Sequence, residues 1–209
     1  AEFGPVHAGR FRSRVAIDDH ALLVGSAGRV DSWKGVDVLL DAFGRVRASR
    51  SDVQFVIAGG SVRGKEDLYE TMAATARAIP GVHWLDSRDD IPDLLADLDL
   101  FVLASTQPEP YGLVLVEALM SGVPVVATDA GGPREIVSEA TPGSGRLVPV
   151  HDAGAMATAI LAALDELPPT DAARRAARPP LRAAEPERFA AIFRSVVAQS
   201  TRRTRRSLQ

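Results

Sequence analysis

Two cations, two carboxylates and three glycine-bearing turns hold the chemistry this sequence offers. Arg29 and Lys34 stand in GRVDSWKG, residues 28–35, and Glu109 and Glu117 frame EPYGLVLVE, residues 109–117. An arginine and a lysine on one loop suit an anion, most simply a phosphate group; a surface pair without a ligand is the alternative. Glu117 interrupts a run, 113–120, that is otherwise apolar and reads as a helix buried on all sides. A buried, unpaired carboxylate is costly or takes up a proton. Glu117 is therefore expected to reach a cleft and accept hydrogen bonds from hydroxyls, a ribose pair being the natural partner; an ion pair with an arginine is the alternative. Glu109 precedes the helix start, on the far side of a phosphate bound there, or simply sits favourably at the helix dipole.

The turns narrow the choice. GGSVRGKE, residues 59–66, nearly matches the phosphate loop GxxxxGK[ST], but Glu66 replaces the magnesium-holding hydroxyl. A glycine turn that lets a ligand approach the backbone is favoured over a nucleoside-triphosphatase loop. In TDAGGPREIV, residues 128–137, Gly131 and Gly132 form a turn, Pro133 suits a first helical position, and Arg134 is either a third cation or solvated.

Positioning these groups requires a scaffold, and the hydrophobic pattern supplies one. Apolar runs at 22–27, 53–58, 82–85, 100–104, 123–128 and 146–150 read as strands. Helical patterns fall at 36–47, 66–78, 91–96, 113–120 and 153–167. The strands lack period-two alternation, as expected of a parallel sheet covered on both faces. The fold class is α/β, a doubly wound, Rossmann-like parallel sheet, and ligands bind such sheets at the carboxyl ends of the strands. Arg29 and Lys34 follow one strand end. Pro108 and Pro110 hold an extended approach from another, and Gly112 then permits a tight turn into the helix. Amides near Tyr111, Gly112, Leu113 and Val114 thus make an anion site at that helix start. One compact domain is expected over 10–167. Residues 168–209 read as a helical extension broken at Pro179–Pro180, with a last helix over 186–198 and a tail bearing Arg202, Arg203, Arg205 and Arg206.

Composition excludes several classes. The chain has 209 residues, 46% hydrophobic and 24% charged, as in ordinary soluble domains. Residues 1–14 lack the apolar core of a secretory signal, and no apolar run is long enough for a membrane span. Cysteine is absent, which removes disulfides, thiol nucleophiles and thiolate metal sites. His7, His20, His83 and His151 have no helical metal-pair spacing. A net charge of −3 gives no nucleic-acid footprint. A cytoplasmic protein is expected; the basic tail is either solvated or a contact with a membrane surface or partner.

Together these segments resemble a known family. E109-P-Y-G-L-V-L-V-E117 is similar to the E-x7-E motif of retaining GT-B glycosyltransferases of family 4. Residues 28–35 resemble that family's GR…KG loop, and SGVPVVATDAGGPREIV, residues 121–137, its G-x-PVVA…GG…E segment. The resemblance covers about residues 15–165. It implies that Arg29 and Lys34 bind and stabilise the leaving diphosphate, with Gly28 allowing the backbone to turn closely. It implies that backbone around Gly112–Val114 holds phosphate and sugar hydroxyls, that Glu109 contacts the donor sugar and Glu117 the ribose, and that the base lies near Ser87 and Arg88. It implies a nucleotide-diphosphate sugar as donor substrate, no bound metal or other cofactor, and transfer with retention at the anomeric carbon. Such enzymes carry two Rossmann-like domains, and this sequence resembles only the C-terminal, donor-binding one. The N-terminal acceptor-binding domain is thus expected as a missing partner. The alternative is a non-catalytic nucleotide-sugar-binding module that acts through a partner.

Overall fold

The computed structural model describes residues 9–18, 20–140 and 142–169. Strands β1 (Leu22–Ala27), β2 (Val53–Ala58), β3 (Val82–Leu85), β4 (Leu100–Leu103), β5 (Val125–Thr128) and β6 (Gly145–Val148) form one sheet in the order β3-β2-β1-β4-β5-β6. Every pairing is parallel. Helices α1 (Arg10–Arg14), α2 (Val36–Ser49), α3 (Glu66–Arg77), α4 (Ile91–Asp97), α5 (Leu113–Met120), α6 (Gly132–Glu139) and α7 (Ala153–Asp165) flank it. The fold is the doubly wound, Rossmann-like one that the apolar strands imply.

Each strand divides its apolar residues between two cores. Val24, Phe55 and Val102 face one layer with α2, α3 and α7. Leu23, Val56 and Phe101 face the other, with α1, α4, α5 and α6. Both faces being dry, strand residues of either parity are apolar, and the alternation vanishes from the sequence. The edge strands β3 and β6 are only half-buried, since each has a neighbour on one side alone.

Two expectations change, and two elements arise without one. Strand β5 starts at Val125 rather than at residue 123, because the Val123 N–H closes the end of α5 on Ala118 O at 3.0 Å. Pro124 has no N–H, although its carbonyl accepts from Phe101 N at 2.9 Å. Helix α5 is not buried all round: Leu115 and Ala118 are its buried residues, and Leu113 is 53% exposed. It starts at the carboxyl end of β4, where Leu113, Val114 and Glu117 line a cavity, while Val116 and Leu119 pack partly on the core. Helix α1 and a 3-10 turn over Ser32–Lys34 carry no apolar period and are unheralded in the sequence. The other boundaries differ by up to two residues at each end, as helix and strand ends do. The extension expected over 168–209 lies outside the described residues except for its first two.

Helix α1 is short; Phe11 packs it on the core, and a buried charge network holds it as well. The side chain of Arg12 is wholly buried and stands 3.1 Å from Asp99 Oδ2. Its guanidinium also donates to the carbonyls of Asp18, Ala21 and Asp97. Asp97, at the end of α4, accepts from the backbone N–H groups of Gly9, Phe11 and Arg12 and so caps the start of α1. Asp99 accepts from Leu23 N at 2.8 Å, which ties the same network to β1. Removing one member of a buried pair leaves the other charge uncompensated, at about 3–5 kcal/mol. We expect Arg12→Met to lower the unfolding free energy by about that much in urea titration. Arg12→Met combined with Asp99→Asn should lose less than Arg12→Met alone; an equal or larger loss would show that packing, not charge, sets the cost.

Candidate functional site

The chain leaves β1 toward β2 in one direction and β4 toward β5 in the other, yet β1 and β4 are neighbours. Their carboxyl ends therefore diverge into a crevice, the usual ligand position in open α/β sheets. A cavity of about 550 Å³ opens there. All eleven residues singled out in the sequence line it: Gly28, Arg29, Lys34, Ser87, Arg88, Glu109, Tyr111, Gly112, Leu113, Val114 and Glu117.

Two glycines make the crevice possible. Gly35 ends the Lys34 turn at φ 64°, and a Cβ there would lie 2.0 Å from the Ala104 carbonyl oxygen at the end of β4. The loop after β1 thus crosses directly over the end of β4. Gly112 precedes α5 at φ 56°, so the chain turns into the helix within one residue. The amides of Leu113 and Val114 in the first turn of α5 find no hydrogen-bond partner among the described residues. They line the cavity and leave it a positive rim.

The charges are not arranged as two bare cations. Lys34 Nζ stands 2.5 Å from Glu109 Oε2 and 4.1 Å from the centroid of the Trp33 ring. Glu109, only 8% exposed, also accepts from Ser105 Oγ at 2.9 Å. Its backbone is stitched to the loop after β5, through Glu109 N to Ala130 O at 3.1 Å and Gly132 N to Glu109 O at 2.8 Å. The sequence reading treats Lys34 and Glu109 separately; the structure pairs them. Arg29 is exposed and makes no ion pair among the described residues. Arg88 is held edge-on by Asp90, with Nε–Oδ1 at 2.6 Å and Nη2–Oδ2 at 2.7 Å, and lies 5.4 Å from the Phe11 ring centroid. Arg14 grips the same Asp90 at 2.8 Å, so α1 supports this corner of the cavity.

Glu117 is half-buried, lines the cavity and has no side-chain partner among the described residues. Burial pushes its carboxyl above the ordinary value. Among the described residues no arginine makes the ion pair that would have given it a purely structural role. Arg134, left open as a third cation, instead pairs with Asp129 on the surface, at 2.5 Å. The turn at 59–66 is not a phosphate loop: Lys65 is bound to Asp31, and the Glu66 carboxylate accepts from Gly64 N at 3.0 Å. Sequence reasoning missed Ser105, Trp33 and Phe11, which position charged groups through contacts that no motif spacing encodes.

The family model for glycosyl transferases group 1 matches residues 9–178. The chain is 32% identical over 160 residues to the lipopolysaccharide core biosynthesis mannosyltransferase LpsB of Rhizobium meliloti, covering 75% of this chain and 45% of that protein. Its fold matches Anabaena HepE, solved in complex with UDP and glucose, at TM-score 0.71 and 27% identity, over 92% of this chain and 51% of that one. It also matches the C-terminal domain of the group 1 glycosyl transferase LpcC of Francisella tularensis at TM-score 0.62 and 21% identity, over 77% of this chain and 85% of that domain. The last likeness concerns the fold alone. The chain thus spans about half the length of the larger proteins it matches.

An uncompensated carboxylate leaves a mark on stability. With its pKa raised in the folded state, Glu117 binds its proton more tightly there than in the unfolded chain. The stability linked to that proton is present below the ordinary value of 4.5 and is lost as pH rises through the raised value. Glu117→Gln should therefore raise the Tm at pH 7, by about 2–4 °C for each kcal/mol relieved. It should also flatten the fall in stability above pH 4.5. A Tm at or below that of the parent, followed calorimetrically across this range, would contradict the reading.

Proposed function

The chain belongs to the glycosyl transferases group 1 family, and from that premise we propose that it is the donor-binding half of a retaining glycosyltransferase. The observation that carries this is the meeting of unspent groups in one cavity: the exposed Arg29, the amides of Leu113 and Val114, and the half-buried Glu117. A nucleotide-diphosphate sugar has groups to match. Its diphosphate satisfies the amides and Arg29, its ribose hydroxyls donate to Glu117, and its base reaches the corner made by Ser87 and Arg88. The sugar then lies beside Glu109 and Lys34. HepE, a relative in fold, was solved with UDP and glucose, so UDP is the first nucleotide to try.

Transfer proceeds as the bond from the anomeric carbon to the diphosphate oxygen breaks and the acceptor oxygen bonds to the same face. The acceptor's proton passes to the departing phosphate, giving glycosylated acceptor and nucleoside diphosphate. Arg29, Lys34 and the start of α5 stabilise the charge that develops on the leaving group, the work a metal ion does elsewhere. Lys34 arrives already paired with Glu109, so it is oriented before donor binds. Glu109 is positioned to accept from the sugar's hydroxyls. The acceptor would be held by a further domain, corresponding to the remaining length of the relatives. Peripheral contact with a membrane surface belongs to this reading only through the basic tail; no described helix is long and apolar enough to cross a membrane.

The same cavity also fits a second reading. A module that binds nucleotide sugar and acts through a partner would show the same cavity. The two share a binding test and part at turnover, which needs the acceptor domain. Calorimetry against UDP, GDP and ADP should find one nucleotide that binds the chain. Arg29→Ala and Lys34→Ala should each weaken it by about 1–3 kcal/mol, as for hydrogen bonds to charged groups. Unchanged affinity in both variants would remove the diphosphate assignment.

A further inference from the structure

The loop from Gly28 to Gly35 carries both cations, and it is tied down by a residue outside the cavity. Val30 N donates to Gly60 O at 2.9 Å, and Val30 pairs with Ser61 as an isolated parallel bridge. Beside that bridge Lys65 Nζ binds Asp31 Oδ1 and lies 3.4 Å from Ser32 Oγ. The Asp31 side chain is 14% exposed, and the hydrogen bond from Lys65 holds its carboxyl below the ordinary value.

Asp31 is the residue from which the Lys34 turn springs. Its carbonyl accepts from Lys34 N at 3.0 Å, and its carboxylate accepts from Ser32 Oγ at 3.2 Å. Arg29 lies two residues before it and Lys34 three after. A clamp on Asp31 therefore restrains both cations, while Lys65 itself touches neither. Lys65 and Glu66 are the two residues that make 59–66 look like an imperfect phosphate loop, and both turn their charges to loop geometry.

We propose that Lys65 is a positioning residue for diphosphate binding: its ion pair with Asp31 pre-orders the loop that presents Arg29 and Lys34. This rests on the donor-binding reading above. A loop fixed before the ligand arrives need not be ordered by it, and that saving appears as affinity for the phosphates alone. The base and ribose contacts lie on other loops and are indifferent to it.

The test pairs each nucleotide with its nucleoside: UDP with uridine, GDP with guanosine, ADP with adenosine. Diphosphates are titrated by calorimetry and nucleosides followed by ligand-observed NMR, using the pair that binds the parent chain. Lys65→Met and Asp31→Asn should each weaken diphosphate binding by roughly tenfold, as lost pre-organisation does, with nucleoside affinity unchanged. Exchange of the charges, Lys65→Asp with Asp31→Lys, should recover most of the loss. Arg29→Ala, run alongside, separates the two levels of the argument. If it leaves diphosphate affinity intact, the donor-binding reading fails and the proposal with it. If it weakens binding while Lys65→Met and Asp31→Asn do not, the proposal alone is overturned. Equal loss of nucleoside and diphosphate would overturn it too, by showing a general defect of the fold.

Discussion

An ammonium and a carboxylate meet across the gap between two strand ends: Lys34 Nζ stands 2.5 Å from Glu109 Oε2. The residues are 75 apart in sequence, and the pair joins the loop after β1 to the loop after β4. Through its backbone Glu109 also holds the loop after β5. Three loops are thus fixed by one acidic residue, and the depth and width of the crevice follow from that. The pair is largely covered, so neither partner can be removed without leaving a poorly solvated charge. It also orients Lys34 before any ligand arrives, so that in the proposed site Lys34 meets an anion beside Arg29 and the amides of α5.

The molecule handles its buried charges in two opposite ways. Around α1, Arg12 is wholly enclosed and meets Asp99 and three carbonyls. At the crevice, Glu117 is half-buried and meets no side chain among the described residues. The first arrangement fixes the fold; the second leaves free energy to be recovered by whatever enters. Strain of that kind at a site is offset by the packed sheet behind it, where Leu23, Val56 and Phe101 are fully covered. The two ends are joined, because α1 also supplies Phe11 and Arg14 to the Arg88 corner of the cavity.

The scaffold was legible because its signals are local. Apolar runs such as VQFVIA, 53–58, mark strands directly, and a chain alternating strands with helices admits few sheets. The residues that line the cavity were legible because they fall on loops at strand ends or, for Leu113, Val114 and Glu117, on the helix that follows one. What escaped was pairing. Nothing in GRVDSWKG says that Lys34 will turn to Glu109, or that Asp31 will take Lys65 from a turn that looks built for phosphate. Such contacts depend on crossings set by Gly35 and by the β1–β4 neighbourhood, and those exist only once the sheet is folded. The greasy run 113–120 misled for the same reason: apolarity on all sides promised burial, whereas α5 begins at a strand end and turns Leu113, Val114 and Glu117 to the cavity.

The central claim is that a nucleoside diphosphate bridges Arg29 and the start of α5, with its ribose on Glu117. A crystal of the chain soaked with the nucleotide it binds best tests this most directly. The account predicts phosphate oxygens about 2.7–3.2 Å from Arg29 and from the amides of Leu113 and Val114, and ribose hydroxyls equally close to the Glu117 carboxylate. Nucleotide bound elsewhere, or Glu117 turned away from the ribose, would contradict it.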